Sequence, residues 1–339
     1  MELYIFRYAE WETLYNCSYD LDIIPVELRK HEIHGLLMLV LSVIFVVIYI
    51  PTLSVIMCKY LNKTAYQIMF LIGISDVLML IAINISCAIM SFRGDVFCSI
   101  PNFSYITCSL GMALWVLSTE TSVILTFYRC LELWRPHVAD ALFQGRRTFF
   151  WIGFALTHFT FVFFFGMPVA FSSIVGALVL NPHVGYIEDT EGKYYNYHNK
   201  YYNMGLLVVI IGLYIVFVYL MISKRKLATF GPSPQMLAAQ RKSLIQALII
   251  CTCGAISDAY WIIVMLGPSP PQIVIFIGMY TWICGHGVPG LTYVIMNKTV
   301  RNSIFKMFET RTKEIISRTR NAISIQPGMH AFSQNVERN

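Results

Sequence analysis

Seven long runs of residues almost free of charge decide what this chain can fold into. A helix that crosses a bilayer needs about 20 consecutive, mainly apolar residues, because each residue rises 1.5 Å through a hydrocarbon core ~30 Å thick. Leu36 to Cys58 carries no charged side chain, Ala65 to Phe92 carries only Asp76, and Pro101 to Tyr128 carries only Glu120. Thr148 to Leu180 is uncharged over 33 residues, more than one straight crossing uses. Pro168, just after Gly166, is expected to end or kink that helix and leave an apolar segment behind it. Met204 to Ile222, Ser243 to Leu266 (broken only by Asp258) and Ile273 to Met296 complete the set. Composition closes the alternative. With 57% hydrophobic and 13% charged residues, against roughly 25% charged in a soluble domain, a water-soluble globule would expose apolar patches beyond what a monomer tolerates. The expected fold is an all-α membrane protein, a seven-helix bundle with spans near 36–58, 65–92, 101–128, 148–170, 204–222, 243–266 and 273–296.

Orientation follows from Lys and Arg, which cytoplasmic loops retain. With the N-terminus outside, 19 of the 25 basic residues fall inside, among them Lys59, Lys63, Arg129, Arg135, Arg146, Arg147, Arg241 and Lys242. The C-terminus is then cytoplasmic. The same asymmetry accounts for the net charge of +6, so no nucleic-acid partner is implied. Residues 1–35 form a polar, acidic outer segment, and the first apolar run is too long for a signal-peptide core and lacks a small-residue cleavage site. Asn16-Cys17-Ser18 is a glycosylation sequon on that side. Beyond the seventh span, Val300, Ile304, Phe305 and Phe308 recur at helical spacing among Lys298, Arg301 and Lys306, which suits an amphipathic helix over 297–310 on the inner leaflet. A polar, disordered tail is expected over 311–339.

Three function classes can be weighed on the residues. An enzyme should bring a nucleophile and base, or metal ligands, to one depth. His31-Glu32-Ile33-His34 has its histidines three apart, His158 and His286 are single, and the nine cysteines contain no CxxC pair. No catalytic, metal or cofactor site is expected. A secondary transporter or proton-coupled carrier would use Asp76, Glu120 and Asp258 as intramembrane acids, but repeat-built carriers show matching Pro or Gly breaks in each half. None is visible here. A receptor is the third class.

The third span ends in Phe127-Tyr128-Arg129-Cys130, with Pro136 seven residues after Arg129, and Asp76 stands about twelve residues into the second span. This resembles the rhodopsin-like G-protein-coupled receptors, with departures: Tyr128 replaces the acid before the arginine, and the seventh helix reads Pro289-Gly290-Leu291-Thr292-Tyr293. Further strings narrow the likeness, namely Tyr15-Asn16-Cys17, Ile48-Tyr49-Ile50-Pro51, Gly73-Ile74-Ser75-Asp76, Phe97-Cys98-Ser99-Ile100-Pro101-Asn102, the stretch Tyr128 to Pro136, Gly145-Arg146-Arg147-Thr148 and the stretch Tyr293 to Asn302. Together they resemble the nematode serpentine chemoreceptors of class T over about residues 13–310. The resemblance implies a chemosensory receptor in the plasma membrane of sensory cilia. Its partners would be a small-molecule ligand, a heterotrimeric G protein and the bilayer, with homo- or hetero-oligomers left open.

Within that frame, Cys17 and Cys98 are expected to form an outer disulfide, since Asn181 to Tyr202 lacks the cysteine that usually partners the start of the third helix. Arg129 is the expected coupling residue, packed between inner helix ends at rest. Asp76 and Asp258 should face the bundle interior as a polar network, Asp76 toward Ser42, Asn84 or the stretch Gly285 to Tyr293, and Asp258 toward Trp261 or His286. An outer pocket for a small, mainly apolar ligand is expected from Tyr105, Cys108, Met112 and Trp115 on one face of the third helix, with Tyr202 and Asn203 at the start of the fifth, Tyr260 and Trp261 on the sixth, and Tyr280 and His286 on the seventh.

Overall fold

The computed structural model describes residues 1–226, 234–266 and 270–324. Among them, seven helices are long and apolar enough to cross a membrane. These are α1 (Glu32–Lys59), α2 (Thr64–Arg93), α3 (Pro101–Trp134), α4 (Thr148–Phe165), α5 (Tyr197–Lys226), α6 (Pro234–Leu266) and α7 (Gln272–Met296). An eighth helix, α8 (Lys298–Ser324), follows after Asn297.

Local chemistry sets several ends. Gly94, at φ +73°, closes α2 in the left-handed conformation that glycine adopts without a Cβ clash. Pro101 opens α3 at the first helical position, where its missing N–H costs nothing. Arg135 is extended because Pro136 follows it, and α3 stops there. Inside α2, the stretch Met79–Ile85 is π-helical, which shifts the azimuth of everything beyond Asp76.

Helix α3 is the hub, packed against α2, α4, α5 and α6, while α7 lies between α1 and α6. The central core contains Tyr49, Ile72, Met79, Ala113, Val116 and Met279. Large apolar side chains such as Val47 and Ile50 on α1, Phe150 and Phe161 on α4, and Val208 and Ile215 on α5 point outward. That surface suits hydrocarbon and not water.

The fourth span is shorter than the expected 148–170: α4 ends at Phe165, and Gly166 turns extended ahead of Pro168. The apolar segment behind it forms a small antiparallel hairpin, β1 (Ala170–Ser172) on β2 (Ala177–Val179), with Phe171 opposite Leu178. It is fastened across one end of the bundle. Ser173 Oγ donates to Met90 O at 2.9 Å, and His34 Nε2 lies 2.9 Å from Gly176 O.

The N-terminal segment is folded over the same end. Two short helices, Glu2–Phe6 and Tyr8–Leu14, bury Trp11 and Tyr15 against Phe97, Tyr105 and Tyr194. At the opposite end, α8 buries Val300 and Ile304 but leaves Phe305 and Phe308 exposed. It runs past the expected limit of 310 to Ser324, so the first part of the predicted tail is helical, with Lys313 Nζ 2.7 Å from Glu309 Oε1 supporting it one turn apart. Residues 325–339, where the rest of that disordered tail was expected, lie outside the described residues.

Candidate functional site

Two buried carboxylates organise the middle of the bundle, and they sit in different surroundings. Asp76 is fully buried and accepts from three helices. Tyr49 of α1 donates to Oδ2 at 2.6 Å, Ser118 of α3 to Oδ1 at 2.6 Å, and His286 of α7 approaches Oδ1 through Nδ1 at 2.8 Å. The histidine must carry its proton on Nδ1 to make that bond. Every partner of Asp76 comes from another helix, so the carboxylate ties α2 to α1, α3 and α7 at once. Close approach makes it feasible: a Cβ at Gly290 would stand 2.8 Å from the Tyr49 ring, and one at Gly287 would overlap Phe45. The expected stretch Gly285 to Tyr293 supplies one of these partners, His286, whereas Ser42 and Asn84, the other expected candidates, are buried without a hydrogen-bond partner among the described residues.

Asp258 of α6 has one partner. Trp115 Nε1 of α3 donates to Oδ1 at 3.1 Å, whereas Oδ2 is buried and unpartnered. Neither expected partner, Trp261 or His286, is bonded to it. A small cavity of about 30 Å³ opens at this point, with Trp115, Ser118, Ser257, Asp258, Trp282 and His286 on its walls. A second space of about 70 Å³ shares Trp115, Asp258 and Trp282 and continues toward the hairpin, where Met112, Trp261, Val169 and Leu178 close around it. Three further polar atoms in these walls are buried without partners: Ser257 Oγ, Trp282 Nε1 and Asn203 Oδ1. A buried polar atom left unpaired costs about 1–3 kcal/mol. A donor-and-acceptor set of this kind, within aromatic walls, is what orients a small molecule by a few hydrogen bonds.

Of the aromatics expected to line a pocket, the structure brings Met112, Trp115, Trp261 and His286 to this space. Tyr105, Tyr260 and Tyr280 lie elsewhere. Tyr105 is ten residues from Trp115, about 15 Å along the helix, and packs under Trp11 and Tyr15 with ring centroids 5.5 and 4.9 Å away. Tyr260 donates to Val274 O at 2.7 Å in the α6–α7 seam, and the Tyr280 hydroxyl lies 2.9 Å from His34 Nδ1 on the α1 side of α7. Cys108 is buried in the core.

Glu120 belongs to neither carboxylate setting. It faces α4, with His158 Nδ1 at 2.5 Å from Oε1, and His158 Nε2 is in turn 3.0 Å from His198 Nε2 of α5. Sequence reasoning left His158 as a single histidine and did not select His198. Glu120 is thus set apart, whereas Asp76 and Asp258 are linked through Ser118 and His286, which bond Asp76 and line the cavity at Asp258.

Over the cavity, Cys17 and Cys98 are bridged, with Cα atoms 5.5 Å apart. His183 is buried beside the bridge, where Tyr19 Oη is 3.0 Å from its Nδ1. Burial holds the His183 pKa below its ordinary value of 6.5, so the ring is kept neutral. Asn16 is exposed on the outside of this lid.

At the far end, the side chain of Arg129 is only 14% exposed. Its guanidinium donates to Glu132 Oε2 at 2.6 Å, one turn along α3. Glu132 was not singled out from the sequence, although an acid three residues on shares the face of Arg129. Beside the pair, Cys130 and Leu133 pack on Leu220 of α5 and on Leu244 and Leu248 of α6, and Thr126 Oγ1 donates to Ala247 O at 3.3 Å. Arg241 and Lys242 stand on this end of α6, and the side chains of Lys224, Arg225 and Lys226 lie outside the described residues.

Residues 2–317 match the family model described as Serpentine type 7TM GPCR chemoreceptor Srt. The match takes in the lid, all seven long helices and most of α8. No curated protein matches the chain.

Proposed function

Because the chain belongs to the Srt family of serpentine seven-transmembrane chemoreceptors, we propose that the cavity around Asp258 receives its chemical stimulus and that movement of α6 relays binding to a G protein beside Arg129. As a member of that family it is an integral, multi-pass membrane receptor with a ligand and a G protein as its partners. In this reading the lid faces outward, the end of the bundle with Arg129 and α8 faces the cytoplasm, and the excess of Lys and Arg on the latter supports that orientation.

One observation carries the assignment: Asp258 Oδ2, Ser257 Oγ, Trp282 Nε1 and Asn203 Oδ1 are all unpartnered among the described residues, on the walls of two adjoining spaces that share Trp115, Asp258 and Trp282. Asp258 is also the link to the far end. It sits on α6 and is bonded to Trp115 on α3, the helix that bears Arg129 fourteen residues further on. A ligand that competes for the carboxylate would loosen α6 from α3 and open the Leu244 and Leu248 contact next to Arg129. The ligand is a small, mainly apolar molecule, because the walls are predominantly aromatic and aliphatic.

The test is to express the receptor with reporter Gα subunits and apply a panel of volatile and water-soluble compounds. Responses should fall at least tenfold in potency in Trp115→Ala and Trp261→Ala and stay within about twofold in Tyr280→Ala at equal surface expression. Agonists unaffected by both tryptophan truncations would place the site elsewhere.

A further inference from the structure

The cavity has two neighbours that matter for how a molecule reaches it. Toward the lid it is roofed: Val169 and Leu178 of the hairpin segment line its upper part. Above that, the aromatic cluster of Trp11, Tyr15, Phe97 and Tyr105 is buried, and the Cys17–Cys98 bridge ties the N-terminal segment down. Sideways it is thin. A narrow crevice of about 10 Å³ runs between α5 and α6, bounded by Asn203, Leu207 and Ile210 on one helix and Ala255, Ala259 and Ile262 on the other. Its inner end is Asp258, which lines this crevice and both parts of the cavity.

The residues that α6 contributes to the crevice include the small side chains of Ala255 and Ala259. On the same two helices, Val208 and Ile211 of α5 and Ile256 and Ile263 of α6 are apolar and exposed. Those side chains belong to the belt that contacts acyl chains. Among the described residues, nothing donates to Asp258 Oδ2 or Asn203 Oδ1, and nothing accepts from Trp282 Nε1–H.

From this geometry we infer that the ligand enters sideways from the bilayer, between α5 and α6, and that the receptor therefore selects uncharged, membrane-partitioning molecules bearing a hydrogen-bond-donating group such as a hydroxyl. The selection has two stages. A charged molecule is penalised by several kcal/mol in hydrocarbon before it reaches the crevice. A molecule with no donor leaves Asp258 Oδ2 and Asn203 Oδ1 unpaired and gains nothing over lipid. A hydroxyl can donate to one of these oxygens and accept from Trp282, so it meets both requirements with one group.

This inference rests on the cavity being the ligand site, but its test does not need signalling. Cys251 lines the central cavity and is buried, whereas Cys58 is exposed near the end of α1. The full chain, in phosphatidylcholine nanodiscs, is treated with N-phenylmaleimide or its sulfonated analogue, and each cysteine is followed by mass spectrometry. The uncharged reagent should modify Cys251 at least tenfold faster than the sulfonate. Ala259→Trp, which fills the crevice without lining the central cavity, should slow that reaction at least tenfold and leave Cys58 unaffected. Leu207→Trp makes the same plug from α5 if the first variant does not fold. Equal rates for the two reagents, a wild-type rate in both plugged variants, or no modification of Cys251 by either reagent would overturn lateral entry. Lateral labelling without any Trp261-dependent signal would instead refute the ligand assignment, so the two failures are distinguishable.

Discussion

Replacing Asp76 by Asn and by Ala separates the role of its charge from the role of its geometry. The carboxylate takes three donors on two oxygens: Ser118 and His286 on Oδ1, Tyr49 on Oδ2. An Asn can keep its oxygen at the Oδ1 position and hold two of them. Its amide would then donate to the Tyr49 hydroxyl, which is free to turn its own proton to His286 O, already 3.1 Å away. What remains is the loss of charge assistance on two bonds. Charged hydrogen bonds contribute about 1.5–3 kcal/mol against 0.5–1.5 for neutral ones, and interhelical bonds in membranes average only ~0.6, so Asp76→Asn should cost about 1–2 kcal/mol. In Asp76→Ala the tyrosine has the same escape, and Ser118 can turn to a carbonyl of its own helix. His286 Nδ1–H has none. A stranded buried donor costs about 1–3 kcal/mol, and the void left by the carboxyl adds to it, giving roughly 2–4 kcal/mol. Thermal unfolding in detergent, followed by a thiol-reactive dye on the buried Cys87 and Cys108, gives both values. Equal losses in the two variants would mean that charge and not donor satisfaction holds the node together, and the reasoning would fail.

Gly290→Ala should cost about 1–3 kcal/mol in the same assay, because its Cβ would stand 2.8 Å from the Tyr49 ring and push the hydroxyl off Asp76. If that is the mechanism, adding Tyr49→Phe should cost little more, and fully additive losses would disprove it. Glu132→Gln removes the ion pair that holds Arg129 along its own helix and should raise agonist-independent G-protein signalling several-fold; basal signalling that stays at or below wild type would refute a restraining role. For His183, burial favours the neutral ring, so the unfolded lid binds the extra proton and the contribution to lid stability, present above pH 6.5, is lost as pH falls below it. Reduction of the Cys17–Cys98 bridge by a phosphine should therefore accelerate between pH 7.5 and 5.5 in wild type more than in His183→Gln, and identical pH profiles would remove His183 from the account.

What could be read from the sequence is depth, and what could not is azimuth. Hydrocarbon thickness forces the length of each span, so all seven helices were legible to within a few residues at most ends. Asp76 and Asp258 were legible as interior groups because a carboxylate facing lipid is too costly. Of their partners, only the stretch that holds His286 was. Tyr49, Ser118 and His286 meet Asp76 only through the relative rotation of four helices, and the π-helical stretch Met79–Ile85 turns Asn84 away from the direction an ideal helix would give it. The same limit explains the aromatics: Tyr260 and Tyr280 stand on the helices that form the cavity, yet they point into neighbouring seams. The hairpin at Ala170–Val179 was hidden for a different reason, since a short buried strand and the end of a buried helix are both uninterrupted apolar runs. Periodicity within α3 did place Met112 and Trp115 on one face, but no internal pattern states which neighbour that face meets. That information resides in close approaches such as Gly290 against Tyr49, where one missing Cβ decides the rotation of α7 against α1. The carboxylate that such contacts leave unsatisfied, Asp258, is then the group on which an external molecule can act.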